Sequence, residues 1–264
     1  MKLKLETKPL YLPLEKMNRW SFIILLLIEW FILILLWQFN SKEIIPKPSA
    51  IFDQILTVIP TDNFLEDLIA SLTLTLKAIF FSSIVSLLLS YGYVLGVLRP
   101  LTVLIIQFRY LPLAGIIFIF QVLSGSGSEL KLWLLMFGII PFFVTSMVQI
   151  VASPENNQYY DLGKTLRMNR WQNIYRVIIK GKISEVFVVI KQNFAICWLM
   201  ITMVEGLSMS EGGIGAFIAK NSRTADISVI FAYQTALLLL GVFFDWFFDS
   251  IYNSFGHIKA KKGK

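Results

Sequence analysis

The run LKLWLLMFGIIPFFVTSMVQIV, residues 130–151, decides the fold. Lys131 is its one charge, and 22 residues in a helix rising 1.5 Å each reach about 33 Å, enough to cross a hydrocarbon layer of about 30 Å. Its apolar residues show no two-residue alternation, so a strand of a membrane barrel is excluded. In hydrocarbon a lone segment satisfies its own backbone only as a helix.

Five further runs share this character: residues 20–39, 69–98, 101–123, 186–206 and 227–248. With 56% hydrophobic and 14% aromatic residues and a mean hydropathy of +0.68, the chain carries more apolar surface than a soluble core absorbs. The fold expected is an all-α bundle of about six transmembrane helices. Residues 20–39 are too long for a signal-peptide core and lack a small-residue cleavage site, so they read as a retained helix. Residues 41–68 form a connector in which Ser49 caps a short surface helix that Pro60 ends. Arg99 and Pro100 close the second span. The chain therefore divides into an N-terminal segment (1–19), a six-helix membrane domain (20–252) holding a polar loop (152–185), and a basic tail (253–264).

A net charge of +7 would admit nucleic acid as a partner, but the basic residues lie between apolar blocks rather than along one face. Topology explains them better. Lysines and arginines crowd the N-terminal segment, the 152–185 loop and the tail, and are sparse in the other loops. The positive-inside bias places both termini and the polar loop in the cytoplasm of a multi-pass protein of a bacterial plasma membrane.

Reactive constellations are missing. The single Cys197 and single His257 leave no cysteine or histidine metal cluster, and no serine-hydrolase or zinc-protease pattern occurs. Neither SGSGSELK (124–131) nor EGGIGAFIAKNS (211–222) has the spacing of a nucleotide-binding P-loop. The chain is expected to be no enzyme, to bind no cofactor and no metal, and to leave any ATP to another chain.

Charges inside spans cost about 2.5–3.5 kcal/mol at a helix centre. Arg109, Lys191 and Asp249 read as groups that snorkel or pair with a neighbouring helix, while Glu205 and Asp245 lie nearer helix ends and suit packing. Lys77 and Glu29 lie toward the outer half of their spans and fit a solute pathway. Pro112 removes a backbone hydrogen bond within a span and can kink it as a gate requires. Lys77, Arg109, Pro112 and Glu205 are thus the pathway or gating candidates. In the polar loop, residues 158–170 make an amphipathic helix with Tyr159, Leu162 and Leu166 on one stripe. It either lies in the headgroup layer or docks on a cytoplasmic partner.

At DLGKTLR (161–167), followed by MNRWQNIYRVIIKGKIS, the chain resembles the permease subunits of bacterial ATP-binding-cassette importers of the nitrate, sulfonate and taurine type. In that family the loop is the coupling helix that fits a groove in the ATPase. Asp161 stands for the family's Glu, Leu162 and Gly163 for its alanines; Arg167 replaces its glycine, and Lys180 and Ser184 its prolines. The resemblance extends over residues 45–248: IPKPSAIFDQI, then Arg109, Pro112, Ala114, Gly125 and Gly127, then Glu205, Gly212 or Gly213, Gly215, Gly241 and Asp245.

The resemblance implies a type I importer transmembrane fold of the MetI-like kind. It implies ATPase coupling through Tyr159, Asp161, Leu162, Gly163, Leu166 and Arg167, and contact with an external substrate-binding protein through Gly212, Gly213 and Gly215, glycines that also permit positive φ. The implied partners are two cytoplasmic ATPases, which bind the ATP, and a second permease subunit, identical or related. The solute would be a small anion or a vitamin or pyrimidine precursor. A membrane scaffold whose divergent loop no longer couples is the alternative.

Overall fold

A computed structural model describes residues 18–40, 45–61, 63–124, 127–209, 212–224 and 226–262. The N-terminal segment up to residue 17 and the turn residue Gly125 lie outside the described residues.

Among the described residues the chain is helical throughout. In order come α1 (Arg19–Asn40), α2 (Pro48–Thr61), α3 (Phe64–Val94), α4 (Arg99–Gln107), α5 (Leu113–Ser124), α6 (Ser128–Val151), α7 (Glu155–Thr165), α8 (Arg170–Ile174), α9 (Ile183–Leu207), α10 (Ile214–Arg223) and α11 (Ile227–Lys262). Five of them, α1, α3, α6, α9 and α11, are long and apolar enough to cross a membrane alone. Pro48 takes the first position of α2, where its missing N–H costs nothing, so Ser49 lies inside the helix rather than capping it.

The third span is not one helix. Expected over residues 101–123, it is broken into α4, a 3₁₀ turn at Phe108–Tyr110 and α5, with a bend of 116°. Leu111, at φ −82° and ψ 125°, is driven into extended backbone by Pro112 after it. Phe108 and Phe120, on opposite arms, both pack on Phe137 of α6, with ring centres 5.8 and 5.6 Å away. Pro141 inside α6 produces no such break, because the buried middle of α6 is clamped by α3 and α9.

The starts of α3 and α6 and the end of α9 all meet α10, at what we call the α10 end. Two helices that both start there require the intervening α4–α5 pair to bring the chain back across, making six crossings. Trp37 of α1 packs on Phe231 near the start of α11. The start of α1, the α7–α8 loop and the far end of α11 therefore share the opposite, α7 end. Helix α11 outruns the expected sixth span and continues through most of the basic tail to Lys262.

What packs the bundle is a stripe that hydropathy does not reveal. Ser71, Thr75, Ala78, Ser82, Ser86 and Ser90 recur every three or four residues along α3 and are fully buried. Small side chains let backbones approach closely where lipid supplies no hydrophobic drive. Leu134, Leu135 and Ile139 of α6 and Cys197, Ile201 and Val204 of α9 complete this core, with Tyr233 of α11 stacked on Phe217 of α10 at 4.3 Å. A second cluster, Phe143, Met147, Val151, Val186 and Val189, receives Ile178 from the helical turn Tyr175–Lys180 after α8 and anchors the polar segment to the spans.

Candidate functional site

Two assemblies occupy opposite ends of the bundle. At the α10 end the carboxylate of Glu205 is buried, 2% exposed. It accepts Ser71 Oγ at 2.7 and 2.9 Å and the backbone N–H of Gly215 at 2.8 Å. Ser71 Oγ in turn accepts the N–H of Ile214 at 3.1 Å, and Asp67 accepts that of Gly213 at 2.8 Å. Three successive N–H groups at the start of α10 thus end on side chains of α3 and α9, which meets the demand of an uncapped helix start for negative partners. Lys131, 3% exposed, donates to the Gly212 carbonyl at 2.9 Å and pins the same loop to α6.

The glycines here have different reasons. Gly212 and Gly213 adopt φ +69° and +102°, as expected. Gly215 is not at positive φ; it is small because a Cβ would collide with the backbone of Thr202. Residues 214–223 read as a glycine-rich loop in sequence but form α10, whose polar composition hides a helix docked on α9.

Of the pathway candidates, Glu205 is tied into this network. Lys77 is exposed on α3 and has no ion-pair partner among the described residues; with Thr73, Ser128 and Lys131 it borders a cavity of about 230 Å³. Arg109 is half-buried, donating to the Tyr110 hydroxyl at 2.6 Å with its guanidinium 4.7 Å from that ring's centre. Pro112 is exposed at the break between α4 and α5. Lys77 and Glu205 share that cavity, whereas Arg109 and Pro112 lie outside it. Lys191 pairs with Asp245 at 2.9 Å and Asp249 at 2.6 Å. The sequence reading missed Ser71 and Lys131; the serine spacing along α3 was the available signal for the first.

At the α7 end, α7 leaves its apolar stripe exposed. Leu162 is 57% and Leu166 61% exposed, with Tyr159, Trp171 and Tyr175 exposed beside them. Tyr159, Leu162 and Leu166 line a cavity of about 360 Å³ between α7 and the segment that follows, whose walls include Met168, Arg176 and Val177. Among the described residues Asp161 pairs only with Lys164 of its own helix, at 2.8 Å, and both remain exposed. On the inner side, Asn156 donates to the carbonyls of Ile150 and Val151, and buried Gly163 lies against Asn173. Burial raises the Tyr160 phenol above its ordinary range, so it stays neutral.

The end of α7 is closed by two reciprocal bonds: Met168 N–H to Gly163 O and Arg167 N–H to Lys164 O, each 3.0 Å. This is a Schellman turn, and it requires positive φ at Arg167, which has φ 53°. The residue that stands where the resembled family has glycine thus keeps the glycine conformation. Asn169 then opens α8 with a capping box shared with Gln172.

Residues 78–256, about two thirds of the chain, match the family described as binding-protein-dependent transport system inner membrane component. The chain belongs to that family. It is a permease subunit of an ATP-binding-cassette importer, with the all-α transmembrane fold of type I importers. No curated protein shows a significant match to the sequence. The match includes α7 and α10 and begins after α1 and α2, the two helices at the edge of the permease.

Proposed function

We propose that this permease forms one half of a translocation pathway, paired with a second permease subunit, and that separate cytoplasmic ATPases drive it by pushing on α7. The observation that carries the proposal is the stripe of Tyr159, Leu162 and Leu166. It is apolar and exposed, on a helix held from behind by Asn156 and Asn173. The positive-inside bias supports placing the α7 end, with both termini, in the cytoplasm of a bacterial inner membrane. The α10 loop, cross-linked by Asp67, Ser71, Lys131 and Glu205, then faces outward, where an external binding protein delivers a small solute. Lys77, Arg109 and Pro112 are proposed to border the pathway or its gate. Motion of α7 passes to the spans through Ile178 and the second apolar cluster, favouring rigid-body switching between outward and inward access.

Against a scaffold that no longer couples, the intact Schellman turn at Arg167 supports a working loop. The test is co-purification with ATPase subunits of the same importer. The unaltered chain is expected to retain an ATPase, and a chain with Tyr159, Asp161 and Leu166 all replaced by Ser to lose it while staying folded in detergent. Failure of the unaltered chain to hold any ATPase would favour the scaffold.

A further inference from the structure

Between α6 and α9, at the α7 end, lies a cavity of about 500 Å³. Beside Ile150, Val188 and Val189, its lining carries polar groups where membrane helices ordinarily present carbon: Ser146 and Gln149 from α6, and Gln192 from α9. Gln192 sits nine residues into α9, about 13 Å along its axis, and Ser146 five residues before the end of α6, about 8 Å. The polar lining therefore runs into the span rather than stopping at its rim.

Gln149 and Gln192 are exposed, and neither hydrogen-bonds another described residue. An amide facing lipid would leave its donors and acceptor unpaired, whereas one facing water or a polar solute would not. The one ammonium in the lining, Lys182, is held by Glu185 at 2.7 Å, leaving Glu155 as the unbalanced charge. Lys191, next to Gln192, is engaged by Asp245 and Asp249 on α11. Lys77 and Lys131 border a different cavity, at the α10 end.

We infer that this groove is the α7-side half of the pathway, and that its solute is neutral or zwitterionic, hydrogen-bonded in passage by Ser146, Gln149 and Gln192. An anion would meet no free fixed cation there, only the net negative charge of the lining. The inference rests on the importer reading and narrows its solute.

Cys197 is the sole cysteine of the chain and is buried, so a Cys197→Ser background accepts single cysteines at Gln192 and Gln149, with Leu199→Cys, at an exposed apolar position outside the groove on the same helix as Gln192, as reference. The full chain, with its ATPase, is labelled in inverted membrane vesicles by a cationic and an anionic methanethiosulfonate. Gln192→Cys and Gln149→Cys are each expected to react at least about tenfold faster than Leu199→Cys with the cationic reagent, since reaction needs a hydrated thiolate. The cationic reagent is also expected to outpace the anionic one, after correction for their rates on a free thiol in water. Reaction at both positions as slow as at Leu199→Cys, with ATPase retained, overturns the groove and leaves the importer reading standing. Equal or faster labelling by the anionic reagent overturns the solute class. Absence of ATPase from vesicles holding the unaltered chain defeats the importer reading itself.

Discussion

Gly163 of α7 and Asn173 of α8 are pressed together: a Cβ on Gly163 would lie 2.6 Å from both Cγ and Nδ2 of Asn173. That amide is buried and already donates to the Tyr160 carbonyl at 3.0 Å, so it has little freedom to retreat. In an open helix, Gly→Ala would stabilise by about 1 kcal/mol. Here Gly163→Ala is expected to destabilise the loop by about 1–3 kcal/mol and to weaken ATPase retention. Gly163→Ala combined with Asn173→Ala should recover part of both, measured as a double-mutant cycle on detergent melting and pull-down.

Four residues on, Arg167 holds a left-handed conformation that costs a side-chain residue about 1–2 kcal/mol. Arg167→Gly is expected to slow hydrogen exchange of the Met168 amide, whose bond to Gly163 O closes the turn. Arg167→Val should speed it. An unchanged exchange rate in both variants would mean that the turn does not limit the opening of α7.

Glu205→Ala removes the acceptor of Ser71 Oγ and Gly215 N–H in a buried site. A loss of about 2–4 kcal/mol is expected, since each orphaned donor costs about 1–3 kcal/mol. Glu205→Gln keeps one acceptor oxygen and should lose less than half as much. Thermal unfolding of the purified permease distinguishes the two; equal losses would show that charge rather than hydrogen bonding holds the α10 start.

Lys191 serves two carboxylates, and among the described residues each carboxylate has only Lys191 as its ion-pair partner. Lys191→Leu therefore strands two charges, while Asp245→Asn or Asp249→Asn leaves one pair intact. The melting temperature should fall more for Lys191→Leu than for either single aspartate change, and Lys191→Leu with both aspartates replaced by Asn should recover most of the fall.

The class of the fold, its crossings and the exposed stripe of α7 were legible in the sequence because each is written locally. Hydrocarbon demands about 20 apolar residues in a row, and a helical stripe shows in three- and four-residue spacing. Tyr159, Leu162 and Leu166 were found in that way. The break at Leu111 and Pro112 was half legible: a proline announces a kink, but whether it bends a span by 116° or passes unbroken, as Pro141 does, depends on which neighbours hold the helix on either side.

The partners of single polar residues were decided by tertiary structure alone. Lys131 was only the lone charge of an apolar run until it was found buried on the Gly212 carbonyl, and Ser71 one serine among many until it met Glu205, 134 residues away. Gly215 is glycine because of Thr202, and Gly163 because of Asn173. A local pattern reports how a segment meets its solvent. Which buried group satisfies which is settled only when segments distant in sequence are brought within about 3 Å, because hydrogen bonds act over no longer range.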